Sequence, residues 1–212
     1  LAKSLGPFND IGFVPTMGSI HKGHLSLISK SNQMCHKTVV SIFVNPKQFN
    51  NKKDFKTYPK NIKKDLKLLN QSKKVDFVYI PKFKDIFKNN KKPTIKLIKK
   101  DKILCAKFRK GHFEGVLNVV NRFLEIIKPR YVYLGKKDYQ QLYLIKKHIE
   151  KRKIKSKIIE CKTIRENNGV ALSTRNSNLN NNQMKIASKI YYYLYNLKKK
   201  IKKNYNLFNP SK

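Results

Sequence analysis

Residues 11–25 read I-G-F-V-P-T-M-G-S-I-H-K-G-H-L, and this stretch indicates how the chain begins to fold. The apolar run at 11–14 is typical of a buried parallel strand. Pro15 has no N–H to donate, so we expect the strand ladder to end there. Gly18 allows a tight turn that a ligand can approach closely, and apolar residues recur at helical spacing from Leu25 onward. The stretch therefore predicts a strand, a glycine turn and a helix N-terminus.

His21 and His24 lie three residues apart in the first turn of this predicted helix. Unpaired N–H groups and the partial positive charge at a helix start favour anions, above all phosphate. Because side chains three apart share one face, both imidazoles could donate hydrogen bonds to phosphate oxygens. Gly23 has no side chain, so a nucleotide could lie across the surface at this point. A metal pair is the alternative reading, but no Cys, Asp or Glu lies beside the two histidines.

Apolar, β-branched runs alternate with helical patterns along the rest of the chain. This alternation predicts an α/β fold with a mostly parallel sheet and right-handed crossovers. Ligands bind such sheets beyond the carboxyl ends of their strands. Further strands are predicted at 37–44, 76–80, 131–134 and 157–161, with helices around 116–127 and 139–149 and from Gln183 onward.

The formal net charge is +37, from 49 Lys and Arg against 12 Asp and Glu. Such a balance often marks a nucleic-acid-binding protein. The basic residues are nearly all Lys and are spread from end to end of the chain. This distribution is better explained by mutational bias at permissive surface positions than by a nucleic-acid-binding surface, which would gather the basic residues in one stripe. A functional basic surface is the alternative.

Three scattered cysteines indicate free thiols in a reducing compartment. No apolar run approaches the length needed to span a membrane, and the N-terminus lacks a signal-peptide core. The sequence therefore predicts a cytoplasmic protein that does not insert in a membrane.

Four more polar motifs lie just after predicted strands or at the start of a predicted helix. An α/β fold places its active site at such positions. Asn45 and Gln48 offer donors and acceptors for hydroxyls and a carboxylate, and Arg109 could bind a carboxylate or phosphate in bidentate fashion. A lysine and a carboxylate at the Gly135 turn suit a nucleotide with its magnesium ion. The motifs are N-P-K-Q-F at 45–49, R-K-G-H-F-E-G-V at 109–116, G-K-K-D-Y-Q-Q at 135–141 and R-E-N-N-G-V-A-L-S-T-R-N at 165–176.

Together with P-T-M-G-S-I-H-K-G-H at 15–24, these motifs resemble the pantoate–β-alanine ligase family of the H-x-G-H nucleotidyltransferase superfamily. The resemblance implies a Rossmann-like ATP- and pantoate-binding domain at 1–176. Residues 177–212 would be the start of a C-terminal lid domain that is otherwise largely absent. It also implies a homodimer and a reaction in which Mg²⁺-ATP, pantoate and β-alanine give pantothenate, AMP and pyrophosphate through pantoyl adenylate.

The resemblance also assigns roles to individual residues. His21, His24, Lys137 and Arg175 would act on the phosphates, with His24 as proton donor. Pantoate and β-alanine would be bound by Asn45, Gln48, Tyr58, Arg109 and Gln141. The implied ATP contacts are Met17, Gly18, Ser19, Ile20, His21, Lys22, Gly23, His24, Gly135, Lys136, Lys137, Asp138, Ile164, Leu172, Ser173, Thr174 and Arg175.

Two departures from the family pattern concern charge near the site: Lys136 replaces a Glu, and Cys105 stands where a Glu is usual. Three alternatives therefore stay open. The chain could be another small-molecule nucleotidyltransferase, a truncated nucleotide-binding remnant with little turnover, or a nucleic-acid-binding protein. The last is the least favoured because no aromatic–basic recognition motif is present.

Overall fold

The computed structural model describes residues 10–87 and 95–208, with backbone alone for 205–208. The chain divides into two compact units, residues 1–162 and 163–212. The boundary that the resemblance places after residue 176 stays a prediction. Part of the weakly periodic stretch at 82–108 lies outside the described residues.

A five-stranded parallel sheet forms the centre of the first unit, in the order β3-β2-β1-β4-β5. Each strand pairs in parallel with its neighbour, which confirms the predicted mostly parallel α/β sheet. The strands are β1 Ile11–Thr16, β2 Lys37–Ile42, β3 Phe77–Tyr79, β4 Tyr131–Gly135 and β5 Lys157–Cys161.

Helices connect these strands, and the last helix lies in the second unit. Those described are α1 Lys22–Met34, α2 Lys52–Thr57, α3 Ile62–Ser72, α4 Phe83–Ile86, α5 Cys105–Phe108, α6 His112–Ile127, α7 Tyr139–Lys151 and α8 Asn181–Phe208. Short 3-10 turns lie at Pro46–Gln48, Lys99–Asp101, Lys136–Asp138 and Thr174–Asn178. In the part of the chain that the structure describes, none of these helices is long and apolar enough to cross a membrane.

The prediction that Pro15 ends the first strand is wrong, because β1 continues through Pro15 to Thr16. The carbonyl of Thr16 accepts from the N–H of Phe43, on the β2 side, whereas that of Ile11 accepts from Arg130, on the β4 side. Backbone groups alternate between the two neighbours, so the missing N–H of Pro15 faces β4. Pairing with β4 has already stopped after Phe13, and the ladder to β2 loses no bond.

Side chains that alternate along the strands fill two separate cores, one on each face of the sheet. Phe13 and Val132 pack with α6 and α7, while Val14 and Tyr133 pack with α1 and α3. Both faces are thus covered, as parallel sheets require. The carboxyl ends of the strands form one end of the sheet, which we call its carboxyl edge, and this edge lies beyond both cores. The polar motifs of the first unit are located there.

Candidate active site

The segment from the end of β1 into the first turn of α1, residues 17–24 and hereafter the phosphate turn, has an unusual backbone. Gly18 and Ser19 are both left-handed, with φ of +78° and +52°. Thr16 supports the turn from below: its Oγ1 donates to the carbonyl of Ser41 at 2.6 Å and accepts from the N–H of Gly18 at 3.1 Å. The side chain of Ile20 is buried in the core, which directs His21 to the start of α1.

His21 and His24 form a reciprocal cap at the start of α1. The Nδ1 of His21 accepts from the N–H of Gly23 at 3.1 Å, and the Nδ1 of His24 accepts from the N–H of His21 at 3.4 Å. The rings stack with their centroids 4.1 Å apart. Because Nδ1 of His24 accepts from a backbone N–H, the neutral ring of His24 carries its proton on Nε2.

This cap also corrects an expectation about the backbone. Unpaired N–H groups are expected at the start of this helix, but those of His21 and Gly23 donate to the two rings. These two N–H groups are therefore not available to an anion, and the stacked imidazole rings of His21 and His24 lie beside them.

His24 is held neutral at physiological pH. Burial lowers the pKa of its imidazole from 6.5 to about 3, with further lowering by the neighbouring charges of His21 and Lys137. Lys137 belongs to the turn after β4, so this coupling places two of the sequence-predicted phosphate residues close together. A neutral ring with a proton on Nε2 is a hydrogen-bond donor rather than a strong acid.

Asn45 and Gln48, which follow β2, differ in their surroundings. Asn45 is fully buried: its Oδ1 accepts from the N–H of Lys47 at 3.1 Å, and its Nδ2 donates to the carbonyl of Gly115 at 3.0 Å. The same Nδ2 lies 3.3 Å from Oε1 of Gln48. Asn45 thus holds Gln48 in place, and Nε2 of Gln48 lies against the sulfur of Met17 in the phosphate turn.

The start of α6 locks the loop that carries Gln48. Nδ1 of His112 lies 2.5 Å from the carbonyl oxygen of Gln48. A Cβ placed on Gly115 would come within 2.5 Å of the carbonyl oxygen of Lys47, so only glycine permits this approach. Arg109 is half-buried just before α6, and Tyr58 is buried with its ring 5.6 Å from that of Phe49.

The turn after β4 carries the charge reversal noted in the sequence. Nζ of Lys136 lies 3.3 Å from the carboxylate of Glu160 at the end of β5, and Lys146 contacts the same carboxylate at 3.3 Å. The positive charge of Lys136 is therefore matched locally by Glu160. Lys137 pairs with Asp138 at 3.1 Å, and the Asp138 side chain is 59% exposed. Gln141 follows in the first turn of α7, half-buried.

The remaining predicted ATP residues lie in the second unit, on one hairpin. The N–H of Leu172 donates to the carbonyl of Ile164 at 3.0 Å, and Arg165 and Ala171 form an antiparallel bridge. Ser173 caps the following 3-10 turn by accepting from the N–H of Arg175 at 3.3 Å, with Thr174 between them. The structure thus gathers Ile164, Leu172, Ser173, Thr174 and Arg175 locally, and their contact with ATP stays a prediction.

One residue that the sequence motifs missed contacts the phosphate turn directly. Asp65, in α3, is 3% exposed and accepts hydrogen bonds from the N–H groups of Ser19 and Ile20. A signal for it exists in the sequence: Asp65 lies four residues before the buried Leu69, on the inward-facing stripe of a lysine-rich helix.

Nothing in residues 10–87 or 95–208 groups three or more His, Cys, Asp or Glu side chains as a metal-binding cluster. In the turn after β4, Asp138 supplies an exposed carboxylate beside Lys137. Its contact with a nucleotide-bound magnesium ion stays a prediction.

A parallel sheet with a glycine turn and paired histidines at its carboxyl edge defines a nucleotide-binding α/β protein of the H-x-G-H nucleotidyltransferase class. The model of one family, described as pantoate-beta-alanine ligase, matches residues 3–210. The chain belongs to that family, as the five sequence motifs predict.

Named relatives agree with this assignment. The pantothenate synthetase of Francisella philomiragia is 43% identical over 208 residues, which cover 92% of this chain and 78% of the relative. That of Francisella tularensis subsp. novicida is 46% identical over 188 residues, covering 87% and 70%.

Solved structures share the fold. The pantoate-beta-alanine ligase of Francisella tularensis, crystallised with beta-gamma ATP and β-alanine, has a TM-score of 0.83 and 45% identity, over 88% of this chain and 72% of that one. The pantothenate synthetase of Thermus thermophilus has a TM-score of 0.85 at 32% identity, over 90% and 69%. The predicted Rossmann-like nucleotidyltransferase fold is confirmed.

Proposed function

We propose that this protein condenses pantoate with β-alanine to give pantothenate, converting ATP to AMP and pyrophosphate. The observation that carries the proposal is the pair of stacked imidazoles in the phosphate turn, with Gln48 against the same turn and Lys137 beside it. Phosphate donors and a carboxylate-binding amide thus meet at one sheet edge, in a chain that belongs to the pantoate–β-alanine ligase family.

In the first half-reaction a pantoate carboxylate oxygen attacks the α-phosphorus of ATP. The new O–P bond gives pantoyl adenylate, and the bond to the β-phosphate oxygen breaks to release pyrophosphate. The Nε2–H groups of His21 and His24 donate to phosphate oxygens, and Lys137 balances their charge. In the ligand-free protein the pKa of His24 is about 3, so His24 meets ATP as a neutral ring that donates through Nε2–H.

In the second half-reaction the amine of β-alanine attacks the acyl carbon of the adenylate. A C–N bond forms, the C–O bond to AMP breaks, and the amine loses a proton. The Nε2 of Gln48 lies against a thioether, a weak acceptor that a carboxylate or hydroxyl oxygen readily replaces. Gln48 therefore binds the acid substrates, with Asn45 holding its amide in register; Tyr58, Arg109 and Gln141 complete the proposed acid pocket.

In this proposal, most of the rate enhancement comes from aligning the two reactants. Holding a weak carboxylate nucleophile in line with phosphorus is worth up to about 7–11 kcal/mol in favourable systems. Mg²⁺ enters as part of the Mg²⁺-ATP substrate, screening the phosphate charges, with Asp138 as the carboxylate at hand. We further propose a cytoplasmic homodimer, as the family resemblance implies; light scattering after size-exclusion chromatography tests the dimer.

The test of the function separates the two half-reactions. Pyrophosphate labelled with ³²P should enter ATP when pantoate is present and β-alanine is absent, which reports the adenylate. AMP and pantothenate should then accumulate in equal amounts only when both acids are present. Tight ATP binding with neither exchange nor AMP formation would contradict the proposal and support a nucleotide-binding remnant. Exchange with other acids but not pantoate would indicate a different nucleotidyltransferase.

A further inference from the structure

Asp65 is a buried carboxylate in a protein of strongly positive charge, yet its partners are not lysines. Its side chain is 3% exposed, and it forms no ion pair with any residue that the structure describes. Oδ2 accepts from the N–H of Ser19 at 2.8 Å, and Oδ1 accepts from the N–H of Ile20 at 2.7 Å. Both oxygens are thus committed to the backbone of the phosphate turn, which lies 45–46 residues earlier in the sequence.

The turn needs this support. Ser19 has a φ of +52°, a left-handed backbone conformation that residues other than glycine rarely adopt. Asp65 also lies close beneath Gly18, where a Cβ would come 2.8 Å from Oδ2. With Thr16 accepting from Gly18, each N–H from Gly18 to Ile20 has an acceptor inside the protein.

These amides have a different use in many phosphate-binding turns, where they bind the ligand itself. Here an internal anion occupies two of them, and the ligand-facing donors are the imidazoles of His21 and His24. The carboxylate thus fixes the backbone of the turn without a ligand. Preorganisation of this kind lowers the ordering cost of binding.

We propose that Asp65 is a positioning residue that sets the backbone of the phosphate turn for ATP before ATP arrives. It acts through Ser19 and Ile20 on the placement of His21 and His24, and not by touching the substrate. This inference rests on the proposed function, because it takes ATP as the ligand of the turn.

The first test compares Asp65→Asn with a matched control. An asparagine keeps the size but turns one acceptor into a donor that opposes a backbone N–H, and we expect the KM for ATP to rise by about tenfold or more. The KM for β-alanine should change by less than about twofold, since Gln48 is anchored by Asn45 and α6 instead. Asp76→Asn is the control: Asp76 accepts from the N–H of Thr38 at 2.8 Å and pairs with Lys37 at 2.8 Å, at the amino end of β2.

Asp76→Asn removes a similar carboxylate–backbone bond at the opposite edge of the sheet, so it should lower stability without moving the KM for ATP. Equal effects of the two variants on that KM would overturn the inference. Calorimetric titration with ATP alone gives the same comparison without turnover, so a failure of the ligase function is distinguishable from a failure of the Asp65 role.

Two further measurements cover the case in which Asp65→Asn folds poorly. Adding Ser19→Gly should restore part of the ATP affinity, because glycine adopts the left-handed conformation without strain. In the unmodified protein, the amides of Ser19 and Ile20 should be protected from hydrogen exchange before ATP is added. Exchange as fast as that of exposed loop amides would refute the proposed preorganisation.

Discussion

At the scale of single residues, His24 illustrates how backbone hydrogen bonds determine the chemistry of a side chain. The N–H of His21 donates to Nδ1, which assigns the proton to Nε2. Burial and two nearby positive charges then keep the ring neutral. The Nε2–H of His24 can therefore donate a hydrogen bond to a phosphate while the ring stays neutral.

The lowered pKa predicts a pH dependence of stability. In the unfolded chain His24 takes up a proton near pH 6.5, whereas in the folded protein it does so only near pH 3. Between these values the unfolded state binds more protons, so the free energy of unfolding falls as the pH is lowered from 6.5. The loss from this residue is at most about 1.4 kcal/mol per pH unit. Urea denaturation at pH 7 and pH 5 measures it.

His24→Gln should reduce this loss, because glutamine does not titrate. Part of the loss should persist, since burial together with Arg152 and Lys151 also lowers the pKa of His148. His148→Gln is the comparison variant and should remove that remaining part of the loss. An undiminished loss in His24→Gln would show that His24 is protonated in the folded state.

At the scale of elements, the contact between α6 and the loop after β2 determines where Gln48 lies. Asn45 donates to the carbonyl of Gly115, and Nδ1 of His112 contacts the carbonyl of Gln48. Gly115 permits the close approach. The glycine that the sequence places inside a helix is thus required by packing rather than by helix geometry.

Gly115→Ala should therefore separate the two elements. The added methyl would meet the carbonyl of Lys47 at 2.5 Å, and overpacking of this kind costs about 1–3 kcal/mol. Because Gln48 moves with the loop, the KM for pantoate should rise more than the KM for ATP. Steady-state kinetics and urea denaturation measure the two effects.

Gly135→Ala is the matched control for stability, because a Cβ there meets nothing within 4 Å and its φ is −79°. We expect its free energy of unfolding to change by less than about 0.5 kcal/mol. A Gly115→Ala protein as stable as Gly135→Ala would show that α6 can shift without cost.

At the scale of the whole molecule, the net charge of +37 opposes the compact state by self-repulsion. The ion pairs in the described part of the chain use carboxylates such as Glu160, Asp76 and Asp101, each beside a lysine. Acids are scarce, so most lysines repel one another across the surface. Salt should relieve this repulsion.

We expect Tm to rise by roughly 2–6 °C between about 0.01 and 0.15 M NaCl, as the Debye length falls from about 30 to about 8 Å. Calorimetry measures the rise, and KCl at equal ionic strength should reproduce it if screening rather than a bound cation is responsible. A flat Tm would mean that the lysines are spaced too far apart to interact, and a falling Tm would mean that salt weakens attractive ion pairs more than it weakens the repulsion.

The sequence predicted those features that depend on neighbouring residues. Apolar runs and helical spacing gave the strands and the longer helices, and five ordered motifs gave the family. The error at Pro15 arose because a missing N–H matters only if it faces a paired neighbour, and strand order decides that. Asp65 went unnoticed because no motif links α3 to the phosphate turn.

By itself, then, the sequence determined the α/β class, the family and the set of polar residues at the sheet edge, because these follow from local periodicity and motif order. Only the tertiary structure decided which atoms meet: Asp65 with Ser19 and Ile20, Asn45 with Gly115, and Lys136 with Glu160. It also decided the proton position and neutrality of His24, since burial and a backbone donor are properties of the folded chain. The physical reason is the distance along the chain over which each kind of interaction acts. Propensity acts over a few residues, whereas hydrogen bonding, desolvation and packing act on whatever the fold brings within a few ångströms.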